Sequence, residues 1–253
     1  MKKKVNYSEI APYYDKVRIQ SSDYLDYWGE KIKQYGKITK NTLVLEIGCG
    51  TGRFTLPVLK MTQSQIYGLE SSGEMLGKAK EKHPQEKIIW VRGKAEKLPF
   101  VSNAFDCVYM TFVIHHLEDE IKGLREIFRV LKSSGRCLIL TFPHNYLKKD
   151  PSRFFPKVLQ IDLARFPSLP QLKKYLEIAG FKKIHYHLSR AYKENLSIKE
   201  YLLKFKNKYI STLNLLTEKD FQAGYEIFEK RIIKNHKKRV QRVIETAIVI
   251  GEK

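Results

Sequence analysis

Cysteine is scarce in this chain of 253 residues. Only Cys49, Cys107 and Cys137 are present, and an odd, sparse set excludes a disulfide scaffold and points to a reducing compartment. Long apolar runs are missing too: none approaches the roughly 18 residues of a membrane-spanning helix. The Met1-Lys2-Lys3-Lys4 start passes into the polar and aromatic stretch Val5–Asp15, so we expect no secretory signal peptide and a cytoplasmic protein. With 9 prolines and 14 glycines, collagen-like and low-complexity classes fall away. Acid is short relative to base: 27 acidic residues against 47 basic ones leave a net charge of +20. The excess is uneven, at +12 in residues 151–253 and +4 in each of 1–41 and 42–150. It fits an anionic substrate, nucleic acid or a membrane surface, or a solvated lysine-rich face. Lysine outnumbers arginine by 35 to 12, whereas phosphate and base recognition favour arginine forks.

What is present is a chain with the composition of a packed globular protein, 43% hydrophobic and 29% charged. Its length suits one large α/β domain, or a core with an appended cap. Tyr24, Leu25, Tyr27, Trp28 and Ile32 recur at helical spacing until Gly36. Strands are expected at Thr42–Ile47, Gln65–Leu69, Ile88–Val91, Phe105–Thr111 and Arg136–Phe142. Helices fall between them at Arg53–Met61, Gly73–Lys82 and Glu118–Leu131. Such alternation predicts βαβ units around a parallel sheet. Beyond it come a helix at Gln171–Ile178, a strand at Phe181–Leu188, about 50 residues of helical periodicity, and a strand at Thr246–Ile250. We therefore expect an N-terminal helical segment (1–41), a core (42–189 and 243–253), and a helical cap insertion (190–242).

The most informative stretch is Leu43-Val44-Leu45-Glu46-Ile47-Gly48-Cys49-Gly50-Thr51-Gly52. A strand ends near an acidic residue and turns through three glycines into a helix. Glycine permits positive φ and close ligand approach, and the helix start offers unpaired N–H groups. A dinucleotide fingerprint G-x-G-x-x-G would need glycine at position 53, where Arg53 stands. Glu70 ends the second strand, 20 residues after Gly50, where a carboxylate can accept hydrogen bonds from two ribose hydroxyls or lie over a helix start capped by Ser71 or Ser72.

The E-x-G-x-G-x-G run resembles motif I of the class I S-adenosylmethionine-dependent methyltransferases. Further segments carry the resemblance across residues 42–142: Ser71-Ser72-Gly73-Glu74-Met75-Leu76, Gly93-Lys94-Ala95-Glu96-Lys97-Leu98-Pro99-Phe100, Phe105-Asp106-Cys107-Val108, and Ile127-Phe128-Arg129-Val130-Leu131-Lys132. The N-terminal Tyr14-Asp15, with Arg18 one turn on, is similar to the ubiquinone/menaquinone-biosynthesis-like (type 11) small-molecule enzymes. The resemblance implies a Rossmann-like, doubly wound, seven-stranded sheet, mostly parallel with the last strand antiparallel. It also implies S-adenosylmethionine as cofactor, leaving as S-adenosylhomocysteine. Carried over residue by residue, the cofactor set is Tyr14, Arg18, Glu46, Gly48, Cys49, Gly50, Gly52, Glu70, Ser71, Met75, Ala95, Glu96 and Thr111. Lys94 stands where the family places an adenine-binding aspartate. Lysine has no acceptor, which passes that contact to the Ala95 N–H or to Glu96.

For a base the sequence offers His115 and His116, just past the fourth strand, where parallel sheets bind ligands. Each also reads as a histidine bonded at a strand-to-helix turn. Metal-ligand spacing is absent. A cysteine nucleophile is disfavoured because Cys107 and Cys137 sit in core strands and Cys49 in the glycine loop. Thr111-Phe112-Val113-Ile114 replaces the D/N-P-P-Y motif of base-amine methyltransferases, and serine-elbow and P-loop motifs are lacking. We expect methyl transfer to a small molecule held between core and cap. Two alternatives remain at this point. One is a tRNA-type RNA methyltransferase using the seven basic residues between Lys230 and Arg242, a run that also reads as an amphipathic helix with one solvated face. The other is a regulatory protein that binds the cofactor without turnover.

Overall fold

The alternating apolar runs assemble into one seven-stranded sheet in the computed structural model, which describes residues 5–18, 21–84 and 87–253. The basic Met1–Lys4 start and positions 19–20 of the N-terminal segment lie outside the described residues. Helices α1 (Tyr7–Ile10), α2 (Tyr14–Val17) and α3 (Ser22–Gly36) lead into β1 (Leu43–Ile47). Then follow α4 (Thr55–Thr62), β2 (Gln65–Glu70), α5 (Gly73–Lys82), β3 (Ile88–Arg92), β4 (Phe105–Thr111), α6 (Glu120–Val130) and β5 (Leu131–Thr141). The chain ends with α7 (His144–Leu147), α8 (Val158–Arg165), α9 (Leu169–Ala179), β6 (Lys182–Ser197), α10 (Ile198–Lys206), α11 (Glu218–Asn235) and β7 (Arg239–Glu252).

Strand order is β3-β2-β1-β4-β5-β7-β6. Strands β1 to β5 run parallel, and β7 is antiparallel to both of its neighbours. This is the expected doubly wound, Rossmann-like sheet. Strand alternation splits the core between its two faces. Leu45, Ile47, Val108, Met110 and Ile139 pack under α6 and α9. Val44, Tyr109, Leu138 and Leu140 pack under α3 and α4, where Tyr24, Trp28 and Ile32 supply the bulk. The order reverses between β1 and β4, which opens a crevice at their C-terminal ends.

Two strands are longer than their apolar runs predict. The β6–β7 ladder continues from Leu188↔Ala247 to Ser197↔Arg239, so helices occupy 198–235 rather than most of 190–242. The period-two pattern of Val240, Arg242 and Ile244 holds the chain extended where basic residues alone read as helix. The basic run is thereby divided. Lys230, Arg231 and Lys234 lie on α11, whereas Arg239 and Arg242 lie on β7, and Arg242 pairs with Asp150 and Glu194. The single solvated helix face expected there does not form.

The excursion after β6 has its own core. Tyr201, Phe205, Leu213, Phe221, Phe228 and Ile232 bury against Phe155 and Val158. At Gly224 of α11 an added Cβ would lie 2.6 Å from Phe155 Cδ1 and 2.8 Å from its Cα. Helix propensity alone favours Gly224→Ala by about 1 kcal/mol. Overpacking against backbone costs about 1–3 kcal/mol, so the substitution should lower the melting temperature. A rise would show that α11 is not seated on Phe155.

Candidate functional site

The site starts at the turn after β1. Gly48 has φ +67°, and a side chain there would meet Val113 Cγ2 at 2.6 Å. Glycine is required on both counts. The Gly48 and Cys49 N–H groups both donate to the Leu69 carbonyl, at 2.7 and 3.1 Å, which sews the loop to β2. At Gly50 an added Cβ would touch Met75 Cε alone, at 3.4 Å, so this backbone faces open space.

Glu70 closes the turn. Its Oε2 accepts from the Gly50 N–H at 3.0 Å, and its Oε1 accepts from the Ser71 and Ser72 N–H groups at 2.8 Å each. Ser71 Oγ also donates to Oε1, at 3.2 Å, so the carboxylate's spare acceptor capacity lies on Oε2, which among the described residues accepts from the Gly50 N–H alone. Glu70, Ser71, Met75, Cys49, Gly48, Gly50 and Thr111 all line one cavity of about 260 Å³, together with Tyr14 and Arg18. The Arg18 guanidinium lies 4.9 Å over the Tyr14 ring. An adjoining cavity of about 390 Å³ takes in Ala95 and Glu96 and shares Tyr7, Gly48, Ser71 and His116 with the first. Glu96 accepts from the Glu118 N–H at 2.8 Å, and Lys94 pairs with Glu118 at 3.3 Å. The residues present fit an adenosyl cofactor: a carboxylate with spare acceptor capacity, an open glycine backbone, a thioether wall and a cation converge on one space.

Two expected cofactor residues do not reach either cavity. Gly52 is packed beneath Trp90, with Cη2 2.8 Å from its Cβ position. Glu46 points to the α3/α4 side of the sheet, fully buried, because alternation puts Leu45 and Ile47 on the other face. There it accepts from Thr55 Oγ1 at 2.5 Å, Tyr109 Oη at 2.9 Å and Thr111 Oγ1 at 3.4 Å. Its reach to the cavity is indirect, through Thr111.

Both histidines line the cavities, but His116 is not poised as a base. Arg165 Nη2 approaches His116 Nδ1 at 3.1 Å. A guanidinium only donates, so Nδ1 is the lone-pair nitrogen and the ring is neutral. The ring N–H then sits on Nε2 and donates to Tyr7 Oη at 2.8 Å. Both ring nitrogens are engaged. His115, 4% exposed, stacks on Phe166 at 3.7 Å between centroids. Arg165 Nη1 continues the chain to Thr212 at 3.1 Å, and Thr212 donates to Asp162. Burial pushes the Asp162 carboxyl up to about 6. Burial also raises all three thiols, Cys107 to about 12, which leaves none as a ready thiolate.

Several cavity residues have no sequence motif. Tyr7 reaches the site because Ser8 Oγ donates to Glu74 at 2.6 Å and Thr51 Oγ1 to Asp15 at 2.7 Å, docking the N-terminal helices on the loop. Asp150, Glu194, Lys204, Tyr209 and Arg242 also line the first cavity. For Arg242 a signal existed: the alternation of Val240, Arg242 and Ile244 turns all three inward.

Glu46 supplies a pH-dependent prediction. Burial raises its carboxyl to about 7, against the pull of its three hydrogen bonds. The native state therefore holds this proton more tightly than the unfolded chain. Native stability from this group is full below the ordinary value of 4.5 and is lost as pH rises towards 7. Glu46→Gln should gain melting temperature over wild type between pH 5 and pH 8, by on the order of a few °C. A gap that does not change with pH would place the titration elsewhere.

Comparison with known proteins agrees with the geometry. Residues 45–139 match the family described as "Methyltransferase domain". The chain is 32% identical over 207 residues to the demethylmenaquinone methyltransferase of Lactiplantibacillus plantarum, covering 71% of this chain and 87% of that protein. It is 30% identical over 207 residues to the ubiquinone/menaquinone biosynthesis C-methyltransferase of Geotalea daltonii, covering 72% and 88%. A structure titled as a putative methyltransferase from an antibiotic biosynthesis pathway of Anabaena variabilis superposes with a TM-score of 0.70 at 19% identity, over 93% of this chain and 98% of that one. With the glycine loop, the Glu70 clamp and this sheet order in one molecule, the chain belongs to the class I S-adenosylmethionine-dependent methyltransferases of the ubiquinone/menaquinone-biosynthesis type.

Proposed function

We propose that the chain methylates a hydroxylated aromatic ring of the quinol type. The observation that carries this reading is the cavity beside the glycine loop, walled by Tyr7, Phe112, Phe142, Tyr146, Phe166 and Tyr209. Such walls suit a flat ring. The relatives named for demethylmenaquinone support it. Among the described residues no helix is long and apolar enough to cross a membrane.

In this reading Glu70 holds the ribose hydroxyls, Gly48 and Gly50 admit the cofactor backbone, Met75 packs on the adenine, and Arg18 and Tyr14 close over the amino-acid end. Ala95 and Glu96 border the adenine from the second cavity. Bound cofactor supplies an electrophilic methyl group, and the protein supplies alignment and exclusion of water. Tyr7 takes the place first given to the histidines. Its oxygen is fixed by the His116 N–H, burial keeps its hydroxyl protonated, and its own proton is left to orient an acceptor oxygen. The N-terminal segment and the helical excursion cover the acceptor from two sides. The division of the basic run between α11 and β7 weakens the RNA reading.

Two measurements test this. Methyl-labelled S-adenosylmethionine should label a short-chain demethylmenaquinol; label appearing instead in ribonuclease-sensitive material would overturn the acceptor class. Glu70→Ala should weaken cofactor binding by about 1–3 kcal/mol in calorimetry. Unchanged affinity would remove Glu70 from the cofactor site.

A further inference from the structure

One wall of the cavity beside the glycine loop is built from five separate elements that all lie outside the family match at 45–139. The segment after β5 brings Tyr146 and Asp150, β6 brings Glu194, α10 brings Lys204, the turn after it Tyr209, and β7 brings Arg242. Arg242 ties them together. Its Nη1 donates to Asp150 Oδ2 at 2.7 Å, its Nε to Glu194 Oε2 at 2.7 Å, and its Nη2 to Tyr209 Oη at 3.0 Å. Lys204 donates to the other Glu194 oxygen, and Tyr146 to Asp150 at 3.0 Å.

The electrostatics of this wall narrow its ligand. Asp150 and Glu194 are 7% and 5% exposed. Burial alone would raise both carboxyls, but Arg242 together with the hydrogen bonds from Ser152 and Tyr146 outweighs it for Asp150, and Arg242 with Lys204 outweighs it for Glu194. Both end below the usual carboxylate range. The wall thus holds two carboxylates and two cations, with no net charge. Two of the roughly four acceptor positions on Glu194 are taken, and two of the five N–H donors of Arg242 are unspent. A charged group arriving here would unbalance a buried, compensated cluster, which is costly at low dielectric. An uncharged group that both donates and accepts would not.

Building on the quinol reading above, we propose that the Asp150–Arg242–Glu194–Lys204 wall is the acceptor-recognition site and takes an uncharged hydroxyl of the ring, which donates to Glu194 and accepts from Arg242. The hydroxyl gives its hydrogen bond to a carboxylate, which raises electron density on the ring without a full proton transfer. Recognition at this end is set by the long β6–β7 ribbon and α10.

The test is a ligand panel on the whole protein saturated with S-adenosylhomocysteine, read by calorimetry: a dihydroxynaphthalene kept reduced, its dimethyl ether, and the corresponding dihydroxynaphthoate. The dihydroxy compound should bind about tenfold more tightly than the dimethyl ether, and the naphthoate should gain nothing from its charge. The paired substitution Glu194→Leu with Lys204→Met removes one buried carboxylate and one buried cation at constant net charge, leaves Arg242 paired with Asp150, and should erase the preference for free hydroxyls. Equal binding of the ether, tighter binding of the naphthoate, or a preference surviving the paired substitution would overturn the proposal. The first two outcomes need no variant. Failure of every panel compound to bind, with S-adenosylhomocysteine bound normally, would bring down the quinol reading itself. Binding with the expected preference but no methyl transfer would leave the wall's specificity standing and refute the reaction.

Discussion

Three backbone N–H groups converge on one carboxylate, and the candidate site rests on that convergence. Glu70 accepts from Gly50, Ser71 and Ser72, and so links the turn after β1 to the start of α5. Without it two glycine-rich and serine-rich turns would each leave donors at the mouth of a sheet crevice, where unmade hydrogen bonds are costly. With it the turns hold one shape while backbone and carboxylate still face the cavity. The clamp needs β1 and β2 in parallel register, Glu46 opposite Gly68 and Ile47 opposite Leu69, and it needs the strand order to reverse at β4 so that a crevice opens beside the turn. The sheet is in this sense a device for holding two turns at a fixed separation.

Charge is buried in two different ways. Glu46 stands among Tyr109, Thr55 and the α3/α4 core with hydroxyls for company and no cation bonded to it among the described residues. Hydroxyl donors do not make up for lost water, and its carboxyl rises. Asp150 and Glu194 are as deeply buried but share Arg242, and their carboxyls fall. The contrast gives them different uses. A carboxyl that titrates near neutrality can respond to a cationic ligand close by, and Thr111 connects Glu46 to the cavity where such a ligand would sit. A locked, neutral cluster cannot respond in that way, and can discriminate by hydrogen-bond pattern.

The sheet and the glycine-turn side of the candidate site were legible because their signals are local. Strand, glycine turn and acidic strand end fall within 30 residues, and each has a physical reason that does not depend on distant chain. Gly48, Gly50, Glu70, Ser71 and Met75, expected on such signals, line the cavity beside the glycine turn. Glu46 and Gly52 belong to the same motif yet face away from the cavity, since a motif gives spacing and not the face of a strand. The wall proposed for the acceptor was not legible. Tyr7 and His116 are 109 residues apart, Asp150 and Arg242 are 92 apart, and no local pattern couples them. The basic run misled for a related reason: its charges suggested a solvated helix, while the weaker period-two signal of Val240, Arg242 and Ile244 carried the true geometry.

This division has a consequence for specificity. The glycine turn and Glu70, which we propose face the cofactor, lie within a short span of chain on neighbouring strands, whereas the wall proposed for the acceptor is gathered from elements spread from the end of β5 to β7. Changing the ribbon or α10 alters the wall while Glu70 and the glycine turn are untouched. One sheet can therefore keep its methyl donor and change its acceptor. In this chain the ribbon ends on a compensated pair of carboxylates and cations rather than on a lone charge, and that choice favours ligands read by hydroxyl pattern over ligands drawn in by charge. A chain with a net charge of +20 thus encloses a wall with no net charge, so the overall basicity of the molecule does not set the charge of that wall.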